Sequence, residues 1–157
     1  MSDRNENLAT PRLARYFSDY ARYHKTRGNQ ICHYLGISCI VVSLLGLLGG
    51  VPLLTGGAVG TEYLRLDAAT MLIGLATLWY LYLDWRITIP FMLVIVGTYF
   101  LGRAIPSPVN WALFIFGWIC QGVGHAVYEK NSPAFFKNLM HLLIGPLWLF
   151  AKTIGYR

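Results

Sequence analysis

The chain has 157 residues and a formal net charge of +6; 55% of its residues are hydrophobic and only 13% are charged. Soluble globular domains carry roughly 25% charged residues, so this composition, with a mean hydropathy of +0.47, excludes an ordinary soluble domain. It predicts an all-α, polytopic membrane protein, and the length predicts a single membrane domain over residues 1–157.

The N-terminal segment is predicted to be disordered over residues 1–10 and to form a helix over residues 11–27. The helix is predicted because apolar or aromatic residues and one histidine recur at helical spacing. They are Leu13, Tyr16, Phe17, Tyr20 and His24. The pattern fits two alternatives equally well: the helix lies on a membrane surface, or it packs against the helical bundle. Gly28-Asn29 is predicted to break it, which would let His24 and His33 converge.

Four runs without a charged residue predict four transmembrane helices. The runs are residues 28–61, 68–83, 87–102 and 104–128, and the predicted spans are residues 33–54, 68–84, 87–104 and 110–129. The middle two spans are short, about 24 Å each at roughly 1.5 Å per residue. We therefore expect Asp84, which lies between them, at membrane depth.

The segment after the fourth span is predicted to form a re-entrant or interfacial helix over residues 133–151. Ser132-Pro133 suits an N-cap and a first helical turn. The apolar run that follows is interrupted by Gly145-Pro146 and is too short to cross a bilayer.

Lysine and arginine predict the orientation. They concentrate in the N-terminal segment, at Arg86 and in the C-terminal segment, whereas the other two loops hold only Arg65 and Arg103. The positive-inside rule then places both termini in the cytoplasm, at a bacterial inner membrane or an endoplasmic reticulum membrane. The positive charge indicates contact with the lipid bilayer and no nucleic-acid partner. The oligomeric state has no signal in the sequence.

This topology brings all four histidines, one aspartate and one glutamate to one membrane surface. They are His24, His33, Asp84, His125, Glu129 and His141. A histidine and a glutamate one helical turn apart, such as His125 and Glu129, share a helix face. Because ionisable groups at membrane depth are costly, their clustering indicates a functional site.

Imidazole and carboxylate ligands suit non-haem Fe(II), which leaves positions free for O₂ and substrate. Zinc is the main competing metal, and His33 with His125 could instead bind a haem. The residues alone therefore leave open a zinc-dependent lipid hydrolase using His125 and Glu129. They also leave open a non-catalytic scaffold or transporter component whose histidines only pack.

Two blocks of residues resemble a known family, the small membrane proteins of 2-hydroxy-fatty-acid dioxygenase type. The first block is Tyr23-His24, Asn29, His33 and Gly36-Ile37. The second is Trp118, Gln121, Gly124-His125, Glu129-Lys130 and Pro133-Ala134, followed by Asn138-Leu139 and Pro146. The resemblance covers roughly residues 12–150. The second block is the more specific, because small and polar residues fall at fixed offsets in an apolar helix.

The resemblance implies an Fe(II)-dependent and O₂-consuming step of fatty-acid α-oxidation, in which a long-chain 2-hydroxy fatty acid loses one carbon. No 2-oxoglutarate would be needed if the substrate supplies the electrons. Carried over residue by residue, the resemblance makes His24, His33 and His125 the metal-ligand candidates.

Further candidates come from the clustering of polar residues and, for Asn29 and Glu129, from positions that match the family pattern. Glu129 and His141 are additional metal-ligand candidates, with His141 ranked lower because it is not part of the family pattern. Glu129, Asn29 and Asp84 are candidates for a catalytic role. Three basic residues would attract the substrate carboxylate or simply orient the chain in the membrane. These are Arg22, Lys25 and Arg27.

Overall fold

A computed structural model of the chain describes residues 8–53, 66–130 and 139–157. These residues form five α-helices and no β-strand, which confirms the all-α prediction. The helices are α1 (Pro11–Arg22), α2 (Arg27–Leu48), α3 (Ala68–Ala104), α4 (Ser107–Val123) and α5 (Met140–Ile154), and a π-helical segment (Gly124–Glu129) continues α4. Most of the predicted disordered segment, and the predicted start of the last helix at residue 133, lie outside the described residues.

Three helices are long and apolar enough to cross a membrane: α2, α3, and α4 together with the π-helical segment. This is one fewer than the four predicted spans. The predicted spans 68–84 and 87–104 belong to one helix of 37 residues. The charged residues between them suggested a loop, but helical turns resume directly after Asp84.

Helix α3 changes direction at Asp84, whose backbone is extended (φ −164°, ψ 105°). Its two parts lie side by side. This is shown by the Tyr99 hydroxyl, which donates to the Asp67 carboxylate at 2.6 Å although the two residues are 32 positions apart. A straight helix would separate these residues by about 48 Å at 1.5 Å per residue. Helix α3 is therefore a helical hairpin with its turn at the predicted boundary.

Asp84 anchors both ends of the described chain to this turn. Its buried carboxylate accepts hydrogen bonds from the Thr10 backbone amide at 2.9 Å and from the Tyr156 hydroxyl at 2.7 Å. The Arg86 side chain lies 3.4 Å from the same carboxylate. Burial, together with the Asp84 hydrogen bond, raises the pKa of Tyr156 to about 12, so its hydroxyl remains a donor at neutral pH.

Helix α1 packs against the bundle, which is one of the two predicted alternatives. Leu13 and Tyr20 of its apolar stripe are buried in a core with Ile144 and Leu147 of α5 and side chains of α3. α5 has 15 residues, too few to cross a membrane, and carries Pro146 within it. The two short helices therefore cover one end of the α2–α3–α4 bundle.

Helices α2 and α3 approach closely at Gly46 and Gly102. A methyl group built on Gly102 would lie 2.8 Å from the Gly46 nitrogen and 3.0 Å from its Cα. We expect Gly102→Ala to lower the melting temperature of the detergent-purified protein, because overpacking costs about 1–3 kcal/mol. Gly97→Ala on the same helix is the control, since nothing lies within 4 Å of its added methyl. Equal melting temperatures for the two variants would contradict this account.

Candidate functional site

Three histidines from three separate elements meet at one end of the bundle. His24 follows α1, His33 lies in α2 and His125 lies in the π-helical segment. All three are buried, and their ligand nitrogens lie within 4.8 Å of one another. The ring centroids are 4.3 Å apart for His24 and His33, 4.7 Å for His33 and His125, and 5.1 Å for His24 and His125. We call this group the histidine triad.

The chain reverses between α1 and α2, which brings His24 back towards His33. Helix α1 ends at Arg22, and the Thr26 hydroxyl caps α2 by accepting from the Asn29 amide. The break was predicted at Gly28-Asn29, but it lies earlier in the chain. Both of those residues are inside α2. Gly28 has a different role, because a methyl group there would collide with the Tyr128 ring.

Backbone carbonyls fix two of the three imidazole rings. His24 Nδ1 lies 2.6 Å from the Tyr20 carbonyl oxygen, and His33 Nδ1 lies 2.9 Å from the Asn29 carbonyl oxygen. A carbonyl can only accept, so Nδ1 donates in both residues and the lone pair is on Nε2. This is the arrangement by which protein carbonyls orient metal-binding histidines.

Two of the three triad histidines have a ring nitrogen with no hydrogen-bond partner among the described residues. His24 Nε2 and His125 Nδ1 are buried without a hydrogen-bond partner. A buried polar atom that is left unpaired costs about 1–3 kcal/mol. Burial also lowers the pKa of His24 to about 4, so its imidazole is neutral at pH 7 and can offer a lone pair.

These features fit a divalent metal ion. Imidazole nitrogens bind such ions at about 2.0–2.1 Å, so two ligands at a tetrahedral angle lie roughly 3.4 Å apart. The nitrogens of the triad, which lie within 4.8 Å of one another, would need to approach by up to roughly 1.4 Å. Three nitrogen ligands on one side of an ion leave its other positions free for exogenous molecules.

The π-helical segment places His125 in the triad. Gly124, just before it, lies so close to α2 that an added methyl group would be 3.1 Å from Cys32 Cβ and 3.2 Å from His33 Nδ1. The wider π-helical turn, which recurs at functional sites, carries the next residue towards the triad. A side chain at residue 124 would push His125 away from His33.

Glu129 lies beside the triad, but its carboxylate does not join the three nitrogens. Its Oε1 accepts from the Lys25 and Thr26 backbone amides at 2.7 and 2.8 Å. The same oxygen accepts from the Thr26 hydroxyl at 3.1 Å and the Asn29 side chain at 3.2 Å. Glu129 thus fastens the π-helical segment to the connection between α1 and α2, and Asn29 takes part in that link.

The other predicted site residues are placed apart from the triad. His141 Nε2 lies 2.8 Å from the Asp19 carboxylate. Asp84 lies at the turn of α3, and its carboxylate is used by Thr10, Arg86 and Tyr156. Arg22, Lys25 and Arg27 are exposed near the joint of α1 and α2.

An apolar cavity of about 310 Å³ extends from the triad into the bundle. Polar or aromatic side chains border the end near the triad; they are Tyr20, His24, His33, Gln121, His125 and His141. Leu45, Ile73 and Ile95 border the other end. His33 and Leu45 are twelve residues apart on α2, a rise of about 18 Å. The cavity thus has the length and lining that suit an acyl chain.

Gln121 is a residue that the sequence analysis did not single out as a site residue. It lies one helical turn before His125, and its buried Nε2 has no hydrogen-bond partner among the described residues. The i, i+4 spacing to His125 was the signal that could have indicated it.

Comparison with known proteins gives two matches to one family. Residues 10–156 match a family model described as Mpo1-like, 2-hydroxy-palmitic acid dioxygenase Mpo1-like. The 2-hydroxy-palmitic acid dioxygenase MPO1 of Saccharomyces cerevisiae is 53% identical over 32 residues, which is 20% of this chain and 18% of that protein. No solved structure matches the chain.

Proposed function

Because this chain belongs to the Mpo1-like family, described as 2-hydroxy-palmitic acid dioxygenase, we propose that it is a membrane dioxygenase that shortens long-chain 2-hydroxy fatty acids. One observation carries the proposal: three buried histidines, two of which have a buried nitrogen with no partner among the described residues, stand at the head of an apolar cavity. The acyl tail of the substrate would occupy the cavity, and the polar head of the substrate would face the histidines.

Fe(II) is the proposed cofactor, and His24, His33 and His125 would hold it. When bound, it supplies the redox chemistry that lets O₂ react with a closed-shell acid. The carboxyl carbon is lost and C2 becomes the new carboxyl carbon. One 2-hydroxy acid and one O₂ then balance one acid that is a carbon shorter, one CO₂ and one water, so no further reductant is needed.

The protein's own contribution is binding, orientation and exclusion of water. Each buried methylene of the tail stabilises the complex by about 0.8 kcal/mol, and Leu45, Ile73 and Ile95 supply the apolar surface. The Gln121 amide is a donor suited to a substrate oxygen. Burial raises the pKa of Tyr20, so its hydroxyl also stays protonated beside the head group.

We expect purified protein supplied with Fe(II) and O₂ to convert 2-hydroxypalmitic acid to pentadecanoic acid, as measured by mass spectrometry of the lipid extract. Palmitic acid is the matched control and should remain unchanged, because it lacks one of the two chelating oxygens. Unchanged 2-hydroxypalmitic acid in the presence of iron-loaded protein would contradict the proposal.

A zinc-dependent lipid hydrolase is the second candidate, favoured by the three histidines, which are also a known catalytic zinc set. A hydrolase further needs a general base. Glu129 is poorly placed for that role, because four donors already share its Oε1. Metal analysis of the purified protein distinguishes the candidates: iron supports the dioxygenase, zinc the hydrolase, and no metal a scaffold or transporter component.

A further inference from the structure

The fourth histidine borders the same cavity without belonging to the triad. His141 is 4% exposed and lines the cavity near its polar end. Its Nε2 lies 2.8 Å from Asp19 Oδ2, whereas its Nδ1 is buried with no hydrogen-bond partner among the described residues. Asp19 is outside the set of described residues that border this cavity. The residue therefore borders the cavity while its Nε2 is paired with Asp19, and Nδ1 is the ring nitrogen left unpaired among the described residues.

Asp19 determines which nitrogen of His141 carries the proton. An ionised carboxylate accepts hydrogen bonds and has none to donate, so Nε2 is the protonated nitrogen. In the neutral imidazole Nδ1 is then an acceptor. Two aromatic rings hold this orientation: the centroids of Tyr20 and Tyr23 lie 5.6 and 5.7 Å from that of His141, at steep interplanar angles of 77° and 61°.

We infer that His141 Nδ1 accepts a hydrogen bond from the 2-hydroxyl of the substrate and so selects 2-hydroxy acids over unsubstituted ones. This inference rests on the proposed function. In an ionised 2-hydroxy acid the hydroxyl is the only hydrogen-bond donor, and Nδ1 of His141 is a buried acceptor that has no donor among the described residues. An unsubstituted acid would leave that acceptor unpaired. A site built to bond a substrate hydroxyl rejects the analogue that lacks it for this reason.

The test is a binding comparison in iron-loaded protein without O₂, where no turnover occurs. Dissociation constants for 2-hydroxypalmitic acid and palmitic acid give a preference ratio for each variant. We expect His141→Phe to reduce the ratio roughly ten- to a hundredfold, because one buried hydrogen bond is lost. Chelation of the metal by the hydroxyl is present in both proteins and cancels in the comparison.

Two further variants make the result specific. His141→Asn places an amide oxygen near the position of Nδ1 and should recover part of the ratio. Leu139→Phe, at an exposed neighbouring position, should leave it unchanged. If His141→Phe fails to fold, Asp19→Asn serves instead. Without the Asp19 carboxylate, the proton of His141 is no longer fixed on Nε2. The preference ratio should therefore fall while the iron content stays constant.

Different outcomes separate the two proposals. An unchanged ratio in folded, iron-loaded His141→Phe, or in Asp19→Asn, would overturn the role of His141, even if the wild-type protein shortens the acid. Wild-type protein that binds iron and both acids but never shortens the 2-hydroxy acid would overturn the proposed function, whatever the ratio.

Discussion

Replacing His24, His33 or His125 with alanine is expected to remove the bound metal and abolish shortening of the acid, while the protein still inserts into the membrane. Each variant removes one of three nitrogens that lie within 4.8 Å of one another. No other histidine, cysteine or carboxylate of the described chain joins this group to replace the lost ligand. The measurement is iron per protein chain in detergent-purified samples, together with product formation.

His141→Ala is the matched control for these three variants. It removes a buried histidine that borders the same cavity but lies outside the triad. We expect it to keep its iron and to act more mildly, through the recognition of the 2-hydroxyl alone. Retention of full iron content by all three triad variants would show that the ligands lie elsewhere.

The meeting of three histidines at one end of the bundle was predictable from the sequence, because two signals agreed. Positive-inside topology put His24, His33 and His125 at one membrane surface, and the resemblance selected the same three. A chain reversal between His24 and His33 was predicted from Gly28-Asn29, but it occurs earlier, where Thr26 caps α2. Capping depends on one side chain, so patterns of small residues locate it only approximately.

The features that the sequence did not predict depend on contacts between distant residues. Asp84 marks the turn of a hairpin because Thr10 and Tyr156, from the two ends of the chain, supply its partners. Charge-free runs contain no information about those contacts, so residues 68–84 and 87–104 were predicted as separate helices, whereas they are the two parts of the α3 hairpin. Glu129 was considered as a ligand from its spacing to His125, and its four donors come from residues about one hundred positions away.

Enlarging the side chain of Ala76 is expected to shift the substrate preference of the protein towards shorter acids. Ala76 borders the cavity on α3, four residues from Tyr80 and three from Ile73. Tyr80 contacts α5 near the triad through the carbonyl of Leu143, so Ala76 lies partway along the path of the tail. A phenyl ring there would occupy the space of terminal methylenes, each worth about 0.8 kcal/mol when buried.

The size of the expected shift in preference depends on how far the substituted residue lies from the triad. Ala76→Phe should favour 2-hydroxymyristic over 2-hydroxystearic acid more strongly than Ile73→Phe, because position 73 is one turn farther from the triad. Leu75→Phe is the control, since residue 75 is 60% exposed on the same helix and does not border the cavity. The readout is kcat/KM for 2-hydroxymyristic, 2-hydroxypalmitic and 2-hydroxystearic acids.

Comparing the three chain lengths distinguishes a change in the length of the cavity from general damage to the enzyme. A ring that only disturbs the triad would lower kcat/KM for all three acids by the same factor and would reduce the iron content. A ring that shortens the cavity would leave the iron content, and kcat/KM for the shortest acid, almost unaffected. The shortest acid has fewer methylenes beyond the position of the added ring, so it loses the least. Equal losses for all three acids in Ala76→Phe would therefore show that the tail lies outside this cavity.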